Sequence, residues 1–151
     1  MEWFVMSRIF LVQCVSKKLE YAARADELYI SPWFLKAKRY VESRDGIWFI
    51  LSAKHGLLKP NDSIDPYNLT LNNMNADDRR RWGMDVCSKL KLALPVVGEV
   101  TSIEILAGHR YRVGLIDQLH EDYGEKVLIP MEGRGFGQQL QWFNGQAGGI
   151  D

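Results

Sequence analysis

The chain is poor in the residues that hold metals and disulfides, with only two cysteines and three histidines among 151 residues. His55, His109 and His120 are scattered and no Cys-x-x-Cys pair occurs, so nothing has metal-ligand spacing. No metal and no other cofactor is expected. Cys14 falls in an apolar stretch and Cys87 on an apolar helix face, and both read as reduced core residues of a cytoplasmic protein. Net charge is missing as well, because nineteen basic residues balance nineteen acidic ones. No global positive field draws the chain onto nucleic acid, and any polyanion site must be a local patch. Long apolar runs are also lacking. Trp3 to Leu11 follows Glu2, is broken by Ser7 and Arg8, and is too short to span a bilayer or lay out a signal peptide. No membrane partner is expected. Internal repeats, low-complexity tracts and domain linkers are absent.

What is present is an ordinary globular composition, 46% hydrophobic and 25% charged, in a length that suits one domain with a real core. The expectation is a single α/β domain over residues 1–151. Residues 1–6 form an extension with Met6 as an alternative start, and 145–151 form a frayed tail.

Arg8 to Val15 is β-rich and almost wholly apolar, as in a strand covered on both faces. Ser31-Pro32 offers an N-cap with proline at the first helical position, which predicts a helix to about Ser43. Asp45-Gly46 turns into a second strand, Ile47 to Leu51. The irregular stretch Lys54 to Met74 follows, and a loop of that length is usually functional or disordered. Asn75 caps a second helix with Asp77 and Asp78 in its first turn; Trp82, Val86, Leu90 and Ala93 or Leu94 form its buried stripe, and Pro95 stops it. Val100 to Ala107 is a third strand. A helix from Arg110 to Tyr123, burying Val113, Ile116 and Leu119, ends at Gly124. Lys126 to Ile129 is the fourth strand, and Gly133, Gly135 and Gly137 turn into a last helix around Gln138 to Phe143. Strand and helix alternating in this way predict a four-stranded, mostly parallel sheet with helices on both faces.

In such sheets ligands bind beyond the carboxyl ends of the strands, and the polar residues gather there. After the first strand come Ser16, Lys17 and Lys18; paired lysines suit a phosphate or carboxylate, or a solvated turn. After the second come Ser52, Lys54 and His55. The imidazole is either a general acid or base near neutral pH or a partner for loop backbone. Gly56 implies an unusual backbone conformation or a close approach. Asp65-Pro66-Tyr67 sets a carboxylate beside a rigid turn and an aromatic face. After the third strand, Gly108, Arg110 and Tyr111 open a helix whose free N–H groups suit an anion. After the fourth, Gly135, Phe136 and Gly137 lead to Gln138, Gln139 and Trp142. Paired amides can read a base edge and the aromatics can stack on it, the alternative being surface glutamines and a core tryptophan. The glycine spacing is not the dinucleotide fingerprint.

Several runs resemble a bacterial and phage family known as a numbered domain of unknown function. They are Cys14-Val15-Ser16-Lys17-Lys18; Leu28-Tyr29-x-Ser31-Pro32-x-Phe34; Leu51 through Leu57; Pro66-Tyr67-x-x-Thr70-Leu71; Leu106-Ala107-Gly108-x-x-Tyr111; and Gly135-Phe136-Gly137-Gln138-Gln139-Leu140-x-Trp142. More remotely, the Cys-x-Ser-x-Lys start and the Tyr-x-Ser-x-x-Phe run are similar to an accessory domain of archaeosine tRNA-guanine transglycosylases. That likeness implies a three-layer fold like that of uracil-DNA glycosylases. It departs from the glycosylase pattern in two places: Cys14 to Lys18 stands where a Gly-Gln-Asp-Pro-Tyr-like loop would be, and no His-Pro-Ser loop occurs late in the chain.

The expected function is hydrolysis of the N-glycosidic bond of a nucleobase, a modified one by expectation, in DNA or RNA. A flipped base would sit between Tyr67 or Phe136 and Trp142, with its edge on Gln138 or Gln139. Lys17, Lys18, Lys54 and Arg110 would hold flanking phosphates. Asp65 or His55 would steer the attacking water, with Ser52 as the third candidate catalytic group. The alternatives are a non-catalytic nucleotide or nucleic-acid binding module and a small-nucleotide hydrolase.

Overall fold

The computed structural model describes residues 6–94 and 99–148. Strand β1 (Met6–Gln13) lies at the centre of a five-stranded sheet of order β4-β3-β1-β6-β7. Its neighbours β3 (Ile47–Ser52) and β6 (Glu99–Leu106) both run parallel to it. Ile9, Phe10, Leu11 and Val12 are wholly buried, which an unbroken apolar run demands of a central parallel strand. Beyond β6 lies β7 (Val127–Leu128), also parallel. On the other edge β4 (Gly56–Leu58) pairs antiparallel with β3. The sheet is therefore mixed and five-stranded, where the sequence reading expected four strands. The missed strand is three residues long and follows β3 through a tight turn that Gly56 makes possible at φ +74°.

Parallel neighbours need crossovers, and helices supply them. Helix α2 (Pro32–Glu42) joins β1 to β3 and starts as predicted, with Ser31 Oγ accepting from the Phe34 N–H. Helix α3 (Ala76–Ala93) is capped by Asn75, whose Oδ1 accepts from Asp78 N–H. Its stripe is Trp82, Gly83, Val86, Cys87 and Leu90, while Ala93 is exposed and Leu94 half-buried. Pro95 lies outside the described residues. The single helix expected over Arg110 to Tyr123 is two, α4 (His109–Val113) and α5 (Ile116–Tyr123). The break has a steric cause: a Cβ on Gly114 would stand 2.4 Å from Arg79 O, and one on Gly83 would stand 1.7 Å from Gly114 O. Backbone meets backbone where α3 crosses the α4–α5 junction. The break turns Val113 out to solvent, leaves Ile116 half-buried and buries Tyr111 and Leu115, while Leu119 is buried as expected. The last helix, α6 (Phe136–Gly148), passes Gly145 and packs against α2.

The segment from Lys54 to Met74 is irregular but tied down. After β4 it forms β5 (Ser63–Ile64), which pairs with β2 (Ala23–Arg24) beside the short helix α1 (Ala25–Leu28). Asp62 O and Pro60 O accept from the N–H groups of Ala25 and Asp26. A 3₁₀ turn, Leu71–Asn73, leads to α3. Asp26, buried in the first turn of α1, is paired with Arg24 and Lys38. Glu104, buried on β6, takes Arg8 at 3.2 Å and the Tyr40 hydroxyl at 3.2 Å. Both carboxylates are structural.

Candidate functional site

From β1 the chain moves outward to β3 and β4, and from β6 it moves outward the other way to β7. Connections that diverge in this manner leave a crevice at the carboxyl ends of the central strands. A cleft of about 360 Å³ lies there, lined by Gln13 to Lys17 after β1 and Tyr111 of α4 after β6. Ser31 at the start of α2, Leu69, Thr70 and Asn72 of the long segment, and Phe136 at the start of α6 complete the wall.

Its chemistry is uneven. Lys17 is the only charged side chain among the described lining residues, is exposed, and makes no side-chain hydrogen bond or ion pair among the described residues. Phe136 leaves 64% of its surface open. On the inner wall Cys14, only 3% exposed, has its Sγ 3.3 Å from the Tyr111 hydroxyl. Burial pushes the Tyr111 phenol well above its ordinary range, and neighbouring Cys14 adds to the effect, so Tyr111 stays neutral. Tyr111 in turn stands edge-on to Trp82 at 5.6 Å.

Behind this wall is a second, closed network. Ser52 is wholly buried at the end of β3, with its Oγ 2.7 Å from the Tyr67 hydroxyl and accepting from His55 N–H. The Tyr67 hydroxyl also meets that of Tyr29 at 2.6 Å, and Trp82 Nε1 donates to Ser52 O. Burial drives the phenols of Tyr29 and Tyr67 far up, so both remain neutral donors. Lys18 lies over the Tyr67 ring at 4.5 Å, a cation–π contact, and burial lowers its pKa. His55 stands edge-on to Tyr67; its Nε2 is buried without a hydrogen-bond partner among the described residues, and burial, helped by Lys54 and Lys89, holds its pKa down.

The residues singled out in the sequence therefore divide. Ser16, Lys17, Tyr111 and Phe136 come together in the cleft. Ser52, His55, Tyr67 and Lys18 form the closed network, in which Ser52 meets His55 through backbone and not through the imidazole. Lys54, Asp65 and Arg110 are exposed and none lines the cleft. Gly108 is not a free anion donor, since its N–H goes to Gln13 Oε1 at 2.7 Å. Gln138 Oε1 accepts from Gly135 N–H, and Gln139 joins Trp33 Nε1 to Arg134 O, so neither glutamine's oxygen is free for a base edge. Gly135 and Gly137 are exposed at the start of α6. Trp142 packs on Tyr40 at 5.0 Å and on Phe143, not in the cleft, so the sandwich of Tyr67 or Phe136 with Trp142 is not assembled. Gln13, Ser31, Thr70 and Asn72 are lining residues that the sequence reading did not select. Thr70, in the Pro-Tyr-x-x-Thr-Leu run, Ser31, as a cap and in the Tyr-x-Ser-Pro-x-Phe run, and Gln13, at the polar end of the first strand, had carried some signal.

An α/β domain with its cleft at the diverging ends of two central parallel strands is the class that the fold defines. The chain belongs to the family of unknown function DUF6884, whose model matches residues 9–145. It is also similar to the uncharacterized protein YfjM of Bacillus subtilis (strain 168), 28% identical over 152 residues that cover 92% of this chain and 94% of that one. No solved structure matches. Among the described residues no helix is long and apolar enough to cross a membrane, and no group of three or more His, Cys, Asp or Glu could hold a metal.

Proposed function

We propose that this protein binds a nucleotide unit, free or within a nucleic acid, in the cleft between the ends of β1 and β6. The observation that carries the reading is an unpaired lysine and a largely open phenylalanine facing one cleft of about 360 Å³ with no acidic side chain in its described lining. That volume lies within the usual range of ligand sites, roughly 300–1,000 Å³. Lysine suits phosphate as a point charge, and an exposed aromatic face stacks on any base. The free thiols of Cys14 and Cys87 agree with a reducing, cytoplasmic setting.

Hydrolysis of an N-glycosidic bond is the second reading, and with it goes the three-layer, uracil-DNA-glycosylase-like architecture. It is favoured by Asp65, an exposed carboxylate two residues from Tyr67, whose hydroxyl is anchored to the end of β3. Such a carboxylate can orient water while positive charge grows on the sugar.

One experiment separates the two. Labelled single-stranded DNA and RNA are titrated by fluorescence anisotropy over a salt series, and the same mixtures are searched for released bases by mass spectrometry. Binding that weakens with salt and falls about tenfold or more in Phe136→Ala supports the cleft. A released base that disappears in Asp65→Asn promotes the second reading. Absence of binding to DNA, RNA and mononucleotides alike at low salt sinks both.

A further inference from the structure

The hydrogen bonds already made in the cleft wall fix what it can offer a ligand. Gln13 gives its Oε1 to the Gly108 N–H at 2.7 Å, which fixes the amide orientation and leaves Nε2 as the free end. Ser31 Oγ accepts from the Phe34 N–H, and Thr70 Oγ1 accepts from the Asn72 N–H. In each case a backbone donor engages the acceptor; Gln13 and Ser31 keep a hydrogen to donate, whereas the Thr70 hydroxyl also hydrogen-bonds Tyr111. The only charge in the described lining is the Lys17 ammonium. Phe136, by contrast, is the lining residue with a broad aromatic face open to solvent.

Resting on the nucleotide reading above, we infer that the ligand enters phosphate first. A single phosphate monoester, at a strand end or on a mononucleotide, meets the donors of Gln13, Ser31 and Lys17, while its base stays at the mouth on Phe136. A phosphate monoester is acceptor-rich and carries close to two negative charges at neutral pH, which matches the lysine and the donor ends that Gln13 and Ser31 present once their oxygens have accepted backbone N–H groups. An internal phosphodiester has two chain exits to accommodate and half the charge. A triphosphate needs more positive charge than one lysine provides.

The test compares 5′-phosphorylated, 3′-phosphorylated and unphosphorylated oligothymidylate, with thymidine monophosphate and inorganic phosphate as competitors, against wild type, Lys17→Ala and Gln13→Glu. Lys17 is exposed, so its removal spares the fold. Gln13→Glu keeps an oxygen for Gly108 and turns the free end into an acceptor; thermal melting checks that both variants fold. A terminal phosphate should tighten wild-type binding by about tenfold to a hundredfold, the range of a charge-assisted contact, and both substitutions should erase the gain. Competition by thymidine monophosphate as strong as that by the phosphorylated strand would identify a free nucleotide as the ligand, and weaker competition a strand end; each supports the inference. Equal wild-type binding of phosphorylated and unphosphorylated strands overturns the inference and leaves the nucleotide reading standing. A phosphate gain that survives both substitutions also overturns it, because the phosphate then lies elsewhere. No binding by any strand or nucleotide overturns both.

Discussion

Replacing Tyr67 with phenylalanine removes one oxygen from the centre of the network behind the cleft. That hydroxyl lies 2.6 Å from Tyr29 Oη and 2.7 Å from Ser52 Oγ, and both of those residues are wholly buried. The ring remains, so no cavity opens. Ser52 Oγ keeps the His55 N–H and the Tyr29 hydroxyl keeps its interaction with Ser52, so what is lost is the two hydrogen bonds of the Tyr67 hydroxyl. Each made hydrogen bond contributes about 0.5–1.5 kcal/mol net, and two are removed. The loss should therefore be about 1–3 kcal/mol, or roughly 2–12 °C in Tm for a chain of this size. Tyr29→Phe removes the same Tyr29–Tyr67 bond, so the double variant should lose less than the sum of the singles, with a coupling of about 0.5 kcal/mol or more. Urea unfolding followed by tryptophan fluorescence measures all four corners, provided the m-value holds. A single-variant loss below about 0.5 kcal/mol, or strict additivity, would refute the argument.

Two further outcomes follow from packing and charge. Gly83→Ala should lose at least about 2 kcal/mol, since its Cβ would overlap the backbone of Gly114 and neither helix can yield without separating. Gly137→Ala, with nothing within 4 Å, is the matched control, and equal melting of the two would refute the close crossing. His55 has a folded-state pKa below its ordinary 6.5 because of burial, Lys54 and Lys89, so the unfolded chain takes up the proton more readily. Its contribution to stability is complete above about pH 6.5 and is lost as pH falls through the lowered folded value. His55→Gln should flatten the decline of the urea midpoint below pH 6.5, and an unchanged slope would count against it.

The parts of the fold that were legible in the sequence are those set by local chemistry. Ser31-Pro32 and Asn75 cap their helices where expected because a cap needs only the next few residues. The apolar run Ile9–Val12 of β1 shows because burial on both sides leaves no polar position there, and β3 and β6 show through their β-branched and aromatic residues. The break between α4 and α5 was not legible, since its cause lies at Arg79 and Gly83 on another helix. Strand β4 is too short for any periodicity to register. In the site, the sequence located the strand ends but not the partners there. A glutamine free to read a base and one tied to Trp33 look alike in the sequence, as do a stacking tryptophan and one packed on Tyr40. Cys14 shows the limit best: its apolar surroundings predict burial, which is found, yet its thiol lines the cleft.

The long segment from Lys54 to Met74 has the look of a protease target, rich in turns and poor in regular structure. Its anchors say otherwise. It is joined to β3 through Tyr67, to α1 through Pro60 and Asp62, and to α3 through Arg79, whose guanidinium donates to Leu71 O. Cleavage needs a stretch of chain to peel away, and here that would pull on the sheet edge and on two helices at once. The segment should therefore resist trypsin and exchange its bonded amides at a rate near that of global opening. The wall of the cleft that it supplies would then be as durable as the core.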